Sequence, residues 1–291
     1  MTAVSASTGY LVFDLALRLT LLDLLLRPVG DWTVRPFVLA LAAIALLRTN
    51  WLRHPLLWLV LATLTAVRVI VDWPLADNHA YLLSYWCLAA ALALFAKNPG
   101  RVLARSGRWL IGLVFLFACV WKLTVSDNYV DGTFFQVTMI TDDRFAGFSR
   151  IAGGLDDENY AVLREAVTQH LDAPPGHQTS MPEVPPRFRY LALAATGWNL
   201  FINAALAILF LWPSGSRVRT LRHLALLTYC VVTYAIATVD GFGWLLLAMG
   251  AAQTRLEQVR LRRAYIGVFM LILLYREIPW ADKVFLPLIG Q

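Results

Sequence analysis

The feature that most constrains this chain is a series of apolar stretches, each about as long as a membrane span, joined by short charged loops. A bilayer core requires roughly 20 apolar residues in a helix, so these stretches predict transmembrane helices. Hydrophobic residues make up 59% and charged residues 15% of the 291 positions, which excludes an ordinary soluble domain. We predict an all-α polytopic membrane protein with about nine spans, near residues 9–27, 33–48, 55–73, 79–96, 108–124, 189–212, 222–239, 241–254 and 263–280.

Charges inside the first stretch distinguish it from a cleaved signal peptide. It carries Asp14, Arg18 and Asp23, so we expect a retained helix in which Arg18 pairs with Asp14 four residues earlier. The stretches 33–48 and 241–254 are short, and either is open to interpretation as a partial or tilted span.

Loop charges predict the orientation, because lysine and arginine concentrate in cytoplasmic loops. Alternate loops hold 13 basic residues against one acid, Glu257, whereas the long segment 125–187 holds ten acids against four arginines. The N-terminus is therefore expected in the cytoplasm and the C-terminus outside. The basic residues serve orientation in this interpretation, so no nucleic-acid partner is expected. They are Arg48, Arg53, Lys97, Arg101, Arg105, Arg108, Arg217, Arg219, Arg222, Arg255, Arg260, Arg262 and Arg263.

Residues 125–187 form the one sizeable loop within a single predicted membrane domain, 1–291. Residues 156–171 begin with acids and space their apolar residues as an amphipathic helix does. A proline-rich linker follows, and we expect His170 and His177 beside it to be solvated. No metal site is predicted, since the three cysteines lie in apolar stretches without metal-binding spacing.

A lysine stands near the end of the fifth predicted span. An ammonium group in hydrocarbon costs several kcal/mol or more, so Lys122 is either functional or extends its amine to the lipid headgroups.

Topology places a second titratable residue on the same side of the membrane. The fourth span begins outside with His79, so this imidazole and the amine of Lys122 are predicted at similar depth. Such a pair can perform acid–base chemistry. The alternative for His79 is a structural bond within its own turn, where Asp77 or Asn78 would act as a helix cap.

These two positions also carry a resemblance. DNHAYL at 77–82 and WKLTVSDNYVDG at 121–132 resemble the two best-marked segments of the horizontally transferred transmembrane (HTTM) family, which includes the vitamin K-dependent gamma-glutamyl carboxylases. The order and spacing of the predicted spans agree over most of the chain, although only these two segments are specific.

The resemblance implies roles for several residues. Lys122 corresponds to the base that deprotonates reduced vitamin K, and another quinol is open as the cofactor. His79 corresponds to the histidine associated with carbon dioxide addition, with Asn78 positioning it. The expected substrate-binding residues are Asn78, Arg68, Trp121, Tyr81 and Cys230. Arg68 is included because its charge would neutralise an anionic substrate, and Trp121, like Trp86, because it suits a flat ring.

The chain departs from the family pattern at three places. Cys230 stands where the family commonly has a histidine, and Asn199 and Asn203 stand where relatives carry an acid in the sixth span. The animal carboxylases also have a large lumenal region after the last span, and this sequence ends at Gln291. The residues therefore support the scaffold and the proton-abstracting lysine but do not support protein-glutamate carboxylation, and whether carboxylation is retained stays open.

Three functions remain open from the sequence. The first is a carboxylase-like or quinol-epoxidising enzyme acting on a lipid-soluble quinone at the outer face. The second is a lipid- or quinone-binding protein without catalysis, and the third a small-solute transporter, which the lack of an internal repeat disfavours. Membrane lipids are the expected surroundings, and the bacterial inner (plasma) membrane is the expected location.

Overall fold

A computed structural model describes residues 3–27, 29–74, 76–126, 128–174, 182–213, 215–236, 239 and 241–278, without the side chains of residues 3–10 and 216. The described residues are helical and contain no strand. Their α-helices are α1 (Ala3–Leu26), α2 (Arg35–Leu47), α3 (Thr49–Leu52), α4 (Pro55–Val71), α5 (Asn78–Leu94), α6 (Pro99–Thr124), α7 (Thr133–Thr141), α8 (Ala146–Gly153), α9 (Asp157–Asp172), α10 (Pro186–Leu211), α11 (Ser216–Ile236), α12 (Phe242–Ala251) and α13 (Val259–Glu277). A 3-10 turn covers Asp143–Phe145.

Each predicted apolar stretch coincides with one helix, so the all-helical class is confirmed. Among the described residues, α6 and α10 are the helices long and apolar enough to cross a membrane by length and composition. The helices α2, α4 and α12 are apolar and shorter.

The chain divides into two compact units. The first comprises Met1–Phe115, Leu206–Val231 and Val239–Ile272, and the second Leu116–Ala205, Val232–Thr238 and Leu273–Gln291.

The first unit has a core of packed helices. α4 packs against α5, and α1 packs against α2 and α12. Every residue of α12 after Phe242 is buried, as expected for a helix that is apolar on all sides. Buried tryptophans satisfy their indole N–H groups within this core. Trp86 donates to Thr20 Oγ1 at 2.8 Å, and this completely buried position corrects its predicted role as a surface for a flat ring ligand.

An ion pair is buried in the same core. Asp23 and Arg27 lie one helical turn apart on α1, with side chains 0% and 3% exposed, and Arg27 Nε lies 2.8 Å from Asp23 Oδ1. Arg27 Nη2 also donates to the carbonyl oxygen of Gly241 at 2.8 Å. Gly241 has φ +82°, and a Cβ there would stand 2.1 Å from Arg27 Nε. Only glycine fits this position, since both the backbone conformation and the available space exclude a side chain.

A second pair in this unit corrects a sequence prediction. Asp14 is bound by Arg53, which donates Nε to one carboxylate oxygen at 2.9 Å and Nη2 to the other at 2.6 Å. The predicted partner, Arg18, is exposed. The guanidinium of Arg53 binds both oxygens with its planar fork, a geometry that helical spacing within α1 does not reveal.

The second unit contains more structure than the sequence predicts for 125–187. Helix α9 lies where the amphipathic pattern predicts a helix, and α7 packs against it, while α8 and the 3-10 turn pack against α7. Ser149 Oγ and Tyr160 OH donate to the carbonyl oxygens of Met139 at 2.8 Å and Ile140 at 3.0 Å. The segment and the first turns of α10 share a buried apolar cluster, made of Tyr129, Phe135, Met139, Ile140, Leu155, Tyr160, Leu163, Val167, Phe188 and Ala192. His170 is partly buried, and His177 lies outside the described residues.

Candidate functional site

The reactive group that the sequence predicts, Lys122, lies in the last turn of α6. Its side chain is partly buried, whereas its neighbours Trp121 and Leu123 are 62% and 60% exposed. The amine donates to Oδ1 of Asn199 on α10, which lies 77 positions later in the chain. Lys122 therefore turns toward a polar side chain of its own unit while the residues beside it face outward.

The amide oxygen of Asn199 accepts hydrogen bonds from three side chains. Besides Lys122, the hydroxyl of Tyr129 donates to it at 2.7 Å and Nδ2 of Asn203 at 2.9 Å. The amine of Lys122 also lies 5.2 Å from the centroid of the Tyr129 ring, within range of a cation–π contact. We call Lys122, Tyr129, Asn199 and Asn203 the amide cluster.

Helical spacing explains how α10 supplies two members of the amide cluster. Asn199 and Asn203 are four residues apart, so both side chains project from one face of the helix. Asparagine is a poor helix former because its side chain competes with the backbone for hydrogen bonds. Asn203 is nevertheless 3% exposed, which requires polar partners, and Asn199 provides one.

A turn after α6 places Tyr129. The N–H of Gly132 donates to the carbonyl oxygen of Tyr129 at 3.2 Å, and Gly132 has φ +86°, a conformation that favours glycine. Tyr129 is 2% exposed and its ring packs against Phe134 and Phe135. Burial raises the pKa of Tyr129, so its hydroxyl remains protonated and available as a donor.

All direct partners of Lys122 in the amide cluster are neutral. Among the described residues, no carboxylate forms an ion pair with its amine. A neutral amine and an ammonium both donate to an amide oxygen, so this bond does not fix the charge state. A carboxylate partner would favour the ammonium form. The arrangement therefore permits Lys122 either to accept a proton or to bind an anion.

The other predicted catalytic residue belongs to the first unit. His79 lies in the first turn of α5, where its Nε2 is 3.5 Å from Asp77 Oδ2 and its ring centroid is 6.2 Å from that of Phe242. This contact lies within the turn, as the structural alternative predicts, although the side chain of Asp77 makes no capping hydrogen bond. Asn78 is exposed and Tyr81 partly buried. A cavity shared by His79 and Lys122 stays a prediction.

Two further predicted substrate-binding residues also lie in the first unit. Arg68 Nε binds Asp72 at 2.8 Å and lines a pocket of about 220 Å³ with the turn around Asp31. Cys230 is completely buried within α11. In the second unit, Arg276 Nε lies 3.9 Å from Glu277 Oε1.

The sequence did not identify Tyr129 as a site residue, and it identified Asn199 and Asn203 only as replacements for an acid. One signal was available, since two asparagines four residues apart in an apolar stretch mark a polar stripe on one helix face. No group of three or more potential metal ligands is present among the described residues.

Comparison with protein-family models, with curated proteins and with solved structures gives no match to this chain.

Proposed function

We propose that this protein is a membrane enzyme of the HTTM type that uses Lys122 as a base on the acidic hydroxyl of a reduced quinone, vitamin K hydroquinone or a related quinol. The observation that supports this most directly is the bond between Lys122 and the neutral amide of Asn199. An amine held by a neutral partner can lose its proton and then take one from a substrate. The proposal does not extend to carboxylation of protein glutamate.

The membrane setting is part of the proposal. In it, the nine predicted spans cross the bilayer of a bacterial cell, with the N-terminus in the cytoplasm and the C-terminus outside. Each of these spans overlaps a helix among the described residues. Large apolar side chains lie exposed along α6 and α10, as expected for surfaces in contact with lipid tails. They include Leu113, Leu116, Phe117, Val120, Leu193, Phe201 and Ile208.

The amide cluster would divide the work between its members. Lys122 accepts the hydroxyl proton of the quinol, and Asn199 holds the amine in position through its oxygen. Tyr129 holds the same oxygen of Asn199 through its hydroxyl. By resemblance, His79 would correspond to the histidine of the carbon dioxide step. A quinol dissolved in lipid would reach the exposed end of α6 from the bilayer.

Substitution of the base tests the proposal. We expect Lys122→Ala to slow oxygen-dependent oxidation of a naphthohydroquinone in proteoliposomes by at least about 100-fold, the range for loss of a general base. Lys122→Arg should also be inactive, because arginine keeps its proton. The matched control is Lys97→Ala, since Lys97 is an exposed lysine in the loop before α6. Unchanged oxidation by Lys122→Ala would exclude the enzyme.

A binding function without catalysis uses the same amine as an ammonium. It predicts saturable binding of the naphthoquinone to the wild-type protein, measured by quenching of tryptophan fluorescence, with no turnover above protein-free liposomes. Mass spectrometry of the detergent-extracted protein would identify a quinone or lipid that copurifies with it. Counterflow of a small solute in proteoliposomes would instead indicate a transporter.

A further inference from the structure

Three hydrogen-bond donors of the amide cluster converge on one point. Lys122 Nζ, Tyr129 OH and Asn203 Nδ2 all donate to Oδ1 of Asn199. An amide oxygen has two lone pairs, so three donors exceed its usual capacity. Donors arranged in this way match an acceptor with more negative charge than a neutral amide carries.

We propose that these three donors form a binding pocket for an ionised oxygen of the substrate, and that the side chain of Asn199 occupies this pocket when no substrate is bound. The inference rests on the proposed function for the origin of that oxygen, since Lys122 ionises the substrate hydroxyl. Rotation about the side-chain torsions of Asn199 turns its amide away and leaves the donors to the ligand.

The protonation states of the donors support the pocket. Burial raises the pKa of Tyr129, so the phenol stays a donor. Asn203 is 3% exposed and its Nδ2 group only donates. The described residues of the amide cluster include no carboxylate that would repel an anion. Hydrogen bonds to a charged acceptor are about twice as strong as neutral ones, so an ionised oxygen displaces the amide.

The proton transfer balances within the amide cluster. The substrate O–H bond breaks as an N–H bond forms on the neutral amine of Lys122, and the electron pair stays on the substrate oxygen. The ammonium so formed donates to that oxygen together with Tyr129 and Asn203. The expected ligand class is therefore a ring compound with an acidic hydroxyl, whereas its O-methyl ether lacks the proton that Lys122 removes.

Two probes test the pocket, one with an acidic hydroxyl and one in which this hydroxyl is methylated. Both are added to the full chain in detergent micelles. The hydroxynaphthoquinone lawsone is an anion at neutral pH, and its methyl ether cannot ionise. Titration followed by visible absorbance gives both dissociation constants. We expect lawsone to bind the wild-type protein at least about ten-fold more tightly than the ether, the effect of one hydrogen bond to a charged group.

Variants of the donors test whether the preference for lawsone over its ether depends on the amide cluster. Tyr129→Phe should reduce the ratio of the two affinities about ten-fold, because one donor to the anion is lost, and should change the affinity for the ether little. Tyr190→Phe on α10 is the matched control, since Tyr190 is 72% exposed. Asn199→Asp should abolish lawsone binding, because its carboxylate keeps the donors and repels the anion. It also serves as the second variant if Tyr129→Phe fails to fold.

The outcomes separate this inference from the proposed function. Equal affinity of the wild-type protein for both probes, or a full preference retained by Tyr129→Phe and Asn199→Asp, overturns the pocket even if Lys122→Ala stops quinol oxidation. A preference that is lost in both variants supports the pocket even if the wild-type protein shows no turnover, and in that case only the enzyme is excluded.

Discussion

Two charged sites within apolar helices differ in how their charge is balanced. In the first unit, Arg27 meets both carboxylate oxygens of Asp23 and the carbonyl oxygen of Gly241, and both side chains are closed to solvent. In the second unit, Lys122 meets the neutral amide of Asn199 and the ring of Tyr129.

The difference separates a charge that its partner fixes from one whose partner leaves its protonation state open. A buried pair in which both carboxylate oxygens are bound by the guanidinium resists any change, because removal of one partner leaves the other charge desolvated. An amine held by neutral groups can change its protonation state and keep its hydrogen bond. A charge in a membrane helix is therefore informative only together with the charge of its partner.

Removal of the carboxylate from the Asp23–Arg27 pair should have the largest effect on stability. Asp23→Ala leaves the guanidinium of Arg27 buried without its carboxylate, so we expect the free energy of unfolding to fall by about 3–5 kcal/mol. Thermal unfolding in detergent measures this. Asp14→Ala is the matched control, since its partner Arg53 is 41% exposed and the expected loss is about 1 kcal/mol or less. Equal losses would show that burial does not distinguish the two pairs.

Gly241→Ala disturbs the same site without a change of charge. The left-handed conformation costs about 1–2 kcal/mol for an L-residue, and displacement of Arg27 by the new Cβ adds to this. We expect a loss of at least about 2 kcal/mol in the same unfolding measurement. Gly197→Ala in α10 meets no atom within 4 Å, and it should be neutral or stabilise by about 0.5–1 kcal/mol. A Gly241 variant as stable as the Gly197 variant would refute the close approach.

Lys122→Met should cost much less stability than Asp23→Ala, although both remove a charge from an apolar helix. Asn199 keeps Tyr129 and Asn203 as donors, so we expect a change within about 1 kcal/mol. The same variant should lose quinol oxidation. A loss of stability as large as that of Asp23→Ala would mean that Lys122, like Arg27, is a charge that the fold depends on. The two sites would then not differ.

Alkaline pH should change the stability of the protein less than any of these substitutions. The pKa of Tyr129 is raised by burial, so the folded state holds this proton more tightly than the unfolded state. The resulting stabilisation is complete below the ordinary tyrosine pKa of about 10 and is lost as the pH rises toward the folded pKa. Unfolding midpoints across this range should fall less steeply for Tyr129→Phe than for the wild-type protein. Tyr190→Phe, an exposed position, should keep the wild-type slope.

The hydropathy pattern predicted the helices because a long apolar stretch is a local property. It also drew attention to Lys122, a lone cation near the end of one stretch. The same local view gave the wrong partner for Asp14, since helical spacing within α1 cannot reveal Arg53 on a different segment. The short helices α7 and α8, of nine and eight residues, offer too few turns for a periodic signal.

The contacts of the amide cluster could not be predicted from the sequence, for another reason. Asn199 is neutral and lies 77 positions from Lys122, so neither charge pairing nor spacing connects them. Tyr129 resembles any aromatic residue near a membrane surface until its hydroxyl is seen to share the same acceptor. The predicted relation of His79 to Lys122 depends on topology and stays a prediction.

The 77-residue separation between Lys122 and Asn199 has a consequence for synthesis. A ribosome makes α6 first, so the lysine leaves it before its amide partner has been translated. In the proposed membrane setting, the amine would stay among water and lipid headgroups until α10 follows. Contact of the amine with the headgroups would then be a stage in assembly, and the hydrogen bond to Asn199 would form only after α10 has been made.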